Sequence, residues 1–300
     1  MTSLFLFGAG ASFGSGPCRP HPPPLGGHFF AALRQQGGVA NEIGDELASV
    51  FAADFEAGMD RFRIEHNTLT TSLLRDMAKY FAPFEPASGN LYMEIIRALG
   101  GTRKKAVLVT TNYDLLIERA IGEVGLAVSY TGFPVPLNNI PVLKIHGSCN
   151  FLPNLDFRIR SIDFKTDPSQ SVLDADVFPA STTEEIIRFC TEQDSIAPAL
   201  ALYSPDKKIL YCPTFVKNQQ EAWRTSLKSA SRIYVIGLRV HEVDAHIWGE
   251  LAVARAPLFY VGFEPEVFES WARKRRGRCY VLGQTFKSAI PTIRRHLGGT

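Results

Sequence analysis

From residue 209 to residue 296 the chain alternates short apolar runs with longer amphipathic ones, and this alternation limits the fold more than any other feature. The apolar runs lie at 209–212, 232–236, 258–262 and 280–282, and helical spacing fills 219–230, 244–254, 265–275 and 285–296 between and after them. Strands separated each time by a helix cannot be joined as hairpins. Each helix returns the chain so that the next strand runs parallel to the last, with helices covering both faces. Earlier runs at 4–7, 106–110 and 141–145 have the same character, and the second leads into helical spacing over 113–124. The expected fold is α/β, a Rossmann-like doubly wound, mainly parallel sheet. At 300 residues, positions 1–300 suit a single domain. No strand signal is visible from about 40 to 100. Helical spacing there (Leu47, Val50, Phe51 and Phe55, then 91–99) predicts an inserted helical module. Residues 150–205 have no clear period apart from a helix over 182–191, and read as an irregular insertion.

Composition removes several function classes. Hydrophobic residues make up 45% and charged residues 21%, as in an ordinary soluble globular protein. The formal net charge of +2 is too small by itself to indicate nucleic acid or a membrane surface. The basic run at 273–278 ends a helix, where cations favour the helix dipole, and reads as a solvated helix end. No run reaches the roughly 18 apolar residues of a membrane helix. Met1 to Phe7 lacks the basic region and cleavage site of a signal peptide. Five cysteines, an odd number, widely spaced and without a CxxC pair, argue against a disulfide framework and against a zinc ribbon. A cytoplasmic location follows as the expectation. Cys149 stands close to His146 in sequence, with no third group to make it a nucleophile.

Three motifs fall where such a sheet places its ligand. Gly8-Ala9-Gly10-Ala11-Ser12 follows the first strand. Two glycines there permit a tight turn and a close approach to a pyrophosphate, with Ser12 as an added donor. A bare strand–helix turn explains them equally well, since the GxGxxG spacing is absent. Thr110-Thr111-Asn112-Tyr113-Asp114 follows the strand at 106–110. Asn112 is either a helix cap or an amide that holds a ribose hydroxyl or an attacking water, and Asp114 is able to accept hydrogen bonds from a carboxamide. His146, in Lys144-Ile145-His146-Gly147-Ser148, is either a core histidine or a general base, which its ordinary pKa suits. His21, His28 and His246 have no comparable setting.

In order and spacing these motifs resemble the sirtuin-like (silent information regulator two-like) family, in its zinc-free bacterial branch. Pro213-Thr214-Phe215 with Lys217, and Ile233 to Gly237 followed by Asp244 to Ile247, extend the resemblance over most of the chain. The resemblance implies NAD binding without a metal. By it, Gly8, Ala9, Gly10 and Ser12 hold the pyrophosphate, and Asn112, with Thr111 beside it, positions the nicotinamide ribose or water. Asp114 recognises the carboxamide and His146 acts as general base. The proline-rich loop 17–27 folds over the cofactor, Gly237 approaches the adenosine side, and Phe263 and Glu264 stand near the adenine. The chain departs from the family in lacking the two zinc-binding cysteine pairs and in carrying Leu238-Arg239-Val240 after Gly237.

The reactions the resemblance allows all break the bond between nicotinamide and ribose. Water as nucleophile makes an NAD hydrolase, an acyl-lysine oxygen a deacylase, and a protein side chain an ADP-ribosyltransferase. A sensor that binds NAD or ADP-ribose without turnover is the non-enzymatic alternative. Without the zinc module that helps form a peptide cleft, hydrolysis is the favoured expectation. The corresponding role is an NAD-depleting effector of bacterial antiphage defence. Such an effector must be silent until triggered. That implies a homo-oligomer, or a partner protein such as a nucleic-acid-sensing or ATPase subunit.

Overall fold

The structure, a computed structural model, describes residues 2–100, 105–131, 135–165, 171–201, 209–241 and 244–298. Its first strand, β1 (Ser3–Phe7), alternates between two cores, with Leu4 and Leu6 in one and Phe5 and Phe7 in the other. A strand with both faces apolar belongs in the middle of a sheet covered on both sides.

The chain continues through α1 (Ala9–Phe13), β2 (Cys18–Arg19), α2 (Gly26–Gln36), α3 (Val39–Glu42), α4 (Asp45–Ala53) and α5 (Phe55–Glu65). After a 3-10 turn at Asn67–Leu69 come α6 (Thr70–Phe81), β3 (Glu85–Pro86), α7 (Leu91–Leu99), β4 (Ala106–Thr110) and α8 (Leu116–Glu123). Then follow β5 (Ala127–Ser129), β6 (Asn139–Lys144), β7 (Phe151–Asp163), β8 (Val172–Pro179), α9 (Thr183–Glu192) and α10 (Pro213–Ser229). The last elements are β9 (Arg232–Ile236), α11 (Ala245–Val253), β10 (Leu258–Val261), α12 (Pro265–Ala272), β11 (Cys279–Gly283) and α13 (Phe286–His296).

Seven strands form one sheet in the order β11-β10-β9-β1-β4-β6-β5, with every neighbouring pair parallel. Trp223 and Leu227 of α10, Trp248 and Leu251 of α11 and Phe268 of α12 pack on the Leu4 face. The helices between β1 and β4, together with α8, α9 and α13, pack on the Phe5 face. The doubly wound parallel sheet expected from the sequence is therefore present. From β1 the chain reaches β4 on one side and later β9 on the other, so the order of strands reverses at β1. Open α/β sheets leave a crevice at such a reversal, outside the carboxyl ends of the strands.

Several local expectations change. Residues 209–212 are no sheet strand. Tyr211 and Ile209 make only isolated bridges, to Leu173 of β8 and to Ala201, and neither joins the main sheet. α10 begins at Pro213 instead of near 219, since proline fits the first helical turn where no N–H partner is needed. α8 begins at Leu116, after the Asp114 carboxylate has accepted the Leu116 N–H at 3.0 Å. The stretch expected to be irregular holds the antiparallel hairpin β7–β8, and α9 is fixed by a capping box between Thr182 and Glu185. Parts of that stretch, 166–170 and 202–205, lie outside the described residues. Alternate residues Leu155, Phe157 and Ile159 of β7 are exposed apolar side chains.

Candidate functional site

The crevice begins where the β1–α1 turn meets the end of β9. The Gly8 N–H donates to the Ile236 carbonyl at 3.0 Å and the Gly10 N–H to the Gly237 carbonyl at 2.9 Å. A Cβ on Gly8 would come within 2.6 Å of the Gly237 oxygen, and one on Gly237 within 2.0 Å of the Ala11 nitrogen. Gly237 also has φ +65°, where a side chain is strained. Packing between the two turns thus accounts for these glycines. The Gly10 N–H is committed to protein, and Ala9 is the exposed residue of the turn.

Asn112 braces this turn from the neighbouring strand. The β4 end is held against β1 by the Thr111 N–H and the Thr110 hydroxyl, both donating to the Phe7 carbonyl at 3.1 Å. From that anchor the Asn112 amide nitrogen donates to the Gly8 carbonyl at 2.9 Å and to Ser12 Oγ at 2.8 Å. A carbonyl can only accept, so the amide nitrogen must face Gly8, which fixes the orientation of the side chain. Among the described residues its carbonyl oxygen has a single weak contact, 3.5 Å from Thr111 Oγ1. Asn112 therefore presents an acceptor. Ser12 is buried, and its hydroxyl meets Tyr92 OH at 3.1 Å behind Asn112. Burial, reinforced by Asp114, pushes the Tyr92 phenol well above its ordinary pKa, so it is neutral. Nothing in the α7 sequence distinguishes Tyr92 from an ordinary core aromatic.

Asp114 is buried beside these groups. One carboxylate oxygen accepts the Leu116 N–H; the other has no hydrogen bond among the described residues. Its backbone carbonyl accepts from Lys144 Nζ at 2.5 Å, and the same ammonium lies 3.1 Å from Glu118. Lys144 is fully buried and its partner nearly so, which makes this pair a fixed internal strut. Burial, and then the charge of Asp114, push the Cys18 thiol up. The proline-rich loop is tied down by β2–β3 pairing and by the Asn90 amide donating to the Pro17 carbonyl at 3.1 Å. Cys149 is fully buried and burial raises its thiol strongly, so it is a structural residue.

His146 follows β6 and is buried. The turn after it requires Gly147, at φ +80°, where a Cβ would fall 1.9 Å from the Ala199 oxygen. His146 Nε2 lies 2.8 Å from His246 Nε2, at the start of α11. His246 Nδ1 in turn stands 4.0 Å from Asp244 Oδ1. His246 thus has a setting that sequence reading denied it. A hundred positions separate it from its partner, and only folding brings them together. Two nitrogens at 2.8 Å share one proton, so one imidazole donates and the other accepts. A proton on His246 Nδ1, facing the Asp244 carboxylate, makes His246 Nε2 the acceptor. His146 then donates from Nε2, and Nδ1 is its acceptor nitrogen.

Gly8, Ala9, Gly10, Ser12, Thr111, Asn112, Asp114, His146 and Gly237 all stand at the carboxyl ends of β1, β4, β6 and β9. Glu264, at the start of α12, lies farther along this edge and pairs with Arg239 Nε at 2.8 Å; Phe263 beside it is exposed. Among the described residues no group of three or more His, Cys, Asp or Glu is arranged to hold a metal ion. No helix among them is long and apolar enough to cross a membrane.

No protein-family model matches the chain, and no curated protein matches it either. Among solved structures it is similar to a Sir2 homologue mutant in complex with ADP ribose, at 15% identity and a TM-score of 0.47, over 99% of this chain and 92% of that one. It is also similar to a Sir2 homologue in complex with NAD, at 15% identity and a TM-score of 0.46, over 99% and 89%. Scores at this level carry no weight for the site, which rests on its own geometry.

Proposed function

We propose that this chain hydrolyses the bond between nicotinamide and ribose in NAD. The observation that carries the reading is the commitment of the Asn112 amide. Both its N–H groups brace the glycine turn, so its oxygen is left to orient a group that brings a hydrogen, a water or a ribose hydroxyl. In the hydrolysis the C1′–N bond breaks and nicotinamide leaves with the electron pair. A water oxygen bonds to C1′, and its proton passes to His146. The carboxylate oxygen of Asp114 that is not used on Leu116 accepts from the carboxamide. The Gly8–Gly10 turn, Ala9, Ser12 and Thr111 shape the wall beside the pyrophosphate and ribose, and Gly237 and Glu264 the adenosine end. His246 acts through His146 as a positioning residue, selecting its tautomer as an outer-shell partner does.

The resemblance of the motifs to zinc-free sirtuin-like proteins supports an NAD-depleting role in antiphage defence, with no metal required. Control by self-assembly or by an activating partner belongs to the same reading. The exposed apolar row Leu155, Phe157 and Ile159 favours a protein contact. Nicotinamide release from NAD by the purified chain, without acyl-peptide, is the test. Release that vanishes in His146→Ala is expected. In His246→Phe, kcat should fall about tenfold or more with little change in KM, and the pH profile should move. NAD binding without nicotinamide release, alone or with the cellular partner added, would refute hydrolysis and leave a sensor.

A further inference from the structure

At the opposite edge of the sheet lies a cavity of 490 Å³, lined by Arg232, Arg255, Arg276 and Arg278 together with Phe259 and Tyr280. Arg232 begins β9, and Gly237 at the other end of that strand belongs to the NAD crevice. Five residues of strand separate the two sites by roughly 17 Å.

The arginines are held there deliberately. Arg275 is buried, and its guanidinium donates to the carbonyls of Leu251 at 2.8 Å, Ala256 at 2.7 Å and Arg278 at 3.1 Å. These bonds clamp the α11–β10 and α12–β11 connections together and so fix Arg255, Arg276 and Arg278 around one space. A Cβ on Gly277 would strike Arg255 O at 2.7 Å, so the clamp leaves no slack. No carboxylate lines the cavity, and among the described residues none of the four lining guanidinium groups is paired with one. Like charges crowded without a counter-charge repel one another, and an anion relieves that repulsion. The positive field is felt nearby. Burial first, then Arg232 and Arg295, hold His296 below its ordinary pKa.

A second observation gives the anion a shape. Phe5, Tyr234, Phe259 and Tyr280 occupy one register line across β1, β9, β10 and β11. Their rings stack in sequence, with centroids 4.6, 5.3 and 5.2 Å apart and interplanar angles of 11°, 26° and 16°. The column ends on the edge strand at Tyr280, a residue that is 43% exposed. An open ring face beside clustered guanidinium groups matches a base attached to phosphates.

We propose that this cavity binds the phosphates of a nucleotide whose base stacks on Tyr280. The nucleotide comes either free or as part of a single strand, and the two sources share this chemistry. The test uses the full chain and a fluorescent single-stranded oligothymidylate, followed by anisotropy at low salt, with AMP and inorganic pyrophosphate as competitors. Wild type should bind, and the affinity should fall steeply with added salt. Arg276→Glu with Arg278→Glu should weaken binding at least tenfold, and Tyr280→Ser should weaken oligothymidylate and AMP about tenfold while leaving pyrophosphate unchanged. All these positions except Arg232 and Phe259 are exposed or at the surface, and circular dichroism checks that the variants fold. Oligothymidylate far tighter than AMP identifies single strands as the source; equal affinity per site identifies free nucleotides. No binding of any probe to wild type up to millimolar concentration overturns the proposal, as does equal binding by the arginine variant. Loss of Tyr280 without effect would reduce the site to a bare anion pocket and overturn the nucleotide assignment. NAD turnover is measured separately, so failure here leaves the hydrolase reading intact.

Discussion

Replacing Asn112 by alanine separates its structural work from its chemical work. The substitution removes two hydrogen bonds, to the Gly8 carbonyl and to Ser12 Oγ, at 2.9 and 2.8 Å. At about 1 kcal/mol each, the loss is about 2 kcal/mol. Unfolding entropy near 2.1 cal/mol/K per residue makes this a fall in Tm of about 3 °C for a chain of this length. The Ser12–Tyr92 contact remains, and the buried Gly8 carbonyl still accepts the Ala11 N–H at 2.9 Å, so the fold should persist. Differential scanning calorimetry measures the shift, and nicotinamide release the chemistry. Turnover should fall at least a hundredfold while NAD still binds, because the acceptor that orients the nucleophile is gone. An unchanged Tm would refute the bracing role. Turnover above a tenth of wild type would refute Asn112 as the orienting group.

Two further outcomes follow from packing. Gly237→Ala should cost at least about 1–2 kcal/mol from its φ of +65° alone, and more from the 2.0 Å approach to the Ala11 nitrogen. It should weaken NAD binding, whereas Gly122→Ala, with open space around its Cβ, serves as the harmless control. Lys144→Met should destabilise by about 3–5 kcal/mol in urea unfolding, because the buried Glu118 loses its counter-charge. Adding Glu118→Leu should recover much of that loss, and failure to do so would refute the ion pair as the cause.

Much of the fold was legible because its signals are local. The apolar run 232–236 and the helical spacing of 244–254 state their own periods, and the strand and helix at these places follow. Asn112, Asp114 and His146 stood out as candidate residues because each follows closely on an apolar run, where a parallel sheet opens. The hairpin β7–β8 was not legible. From Asp156 to Asp163 every residue of β7 is exposed, so no burial pattern marks the strand. Nor was the role of the glycines, which depends on Gly237 crossing the β1–α1 turn, more than two hundred positions away.

The sequence by itself determined most of the element types, the parallel sheet and the edge at which such a sheet opens, since periodicity and turn chemistry act over a few residues. Tertiary structure alone decided that Asn112 spends its donors and keeps its acceptor. It alone put His246 against His146, and it alone gathered four arginines beside the end of an aromatic column. These arrangements depend on which strands become neighbours and which loops then meet. That choice is made by burying the two faces of one sheet together, and no local stretch of the chain contains it.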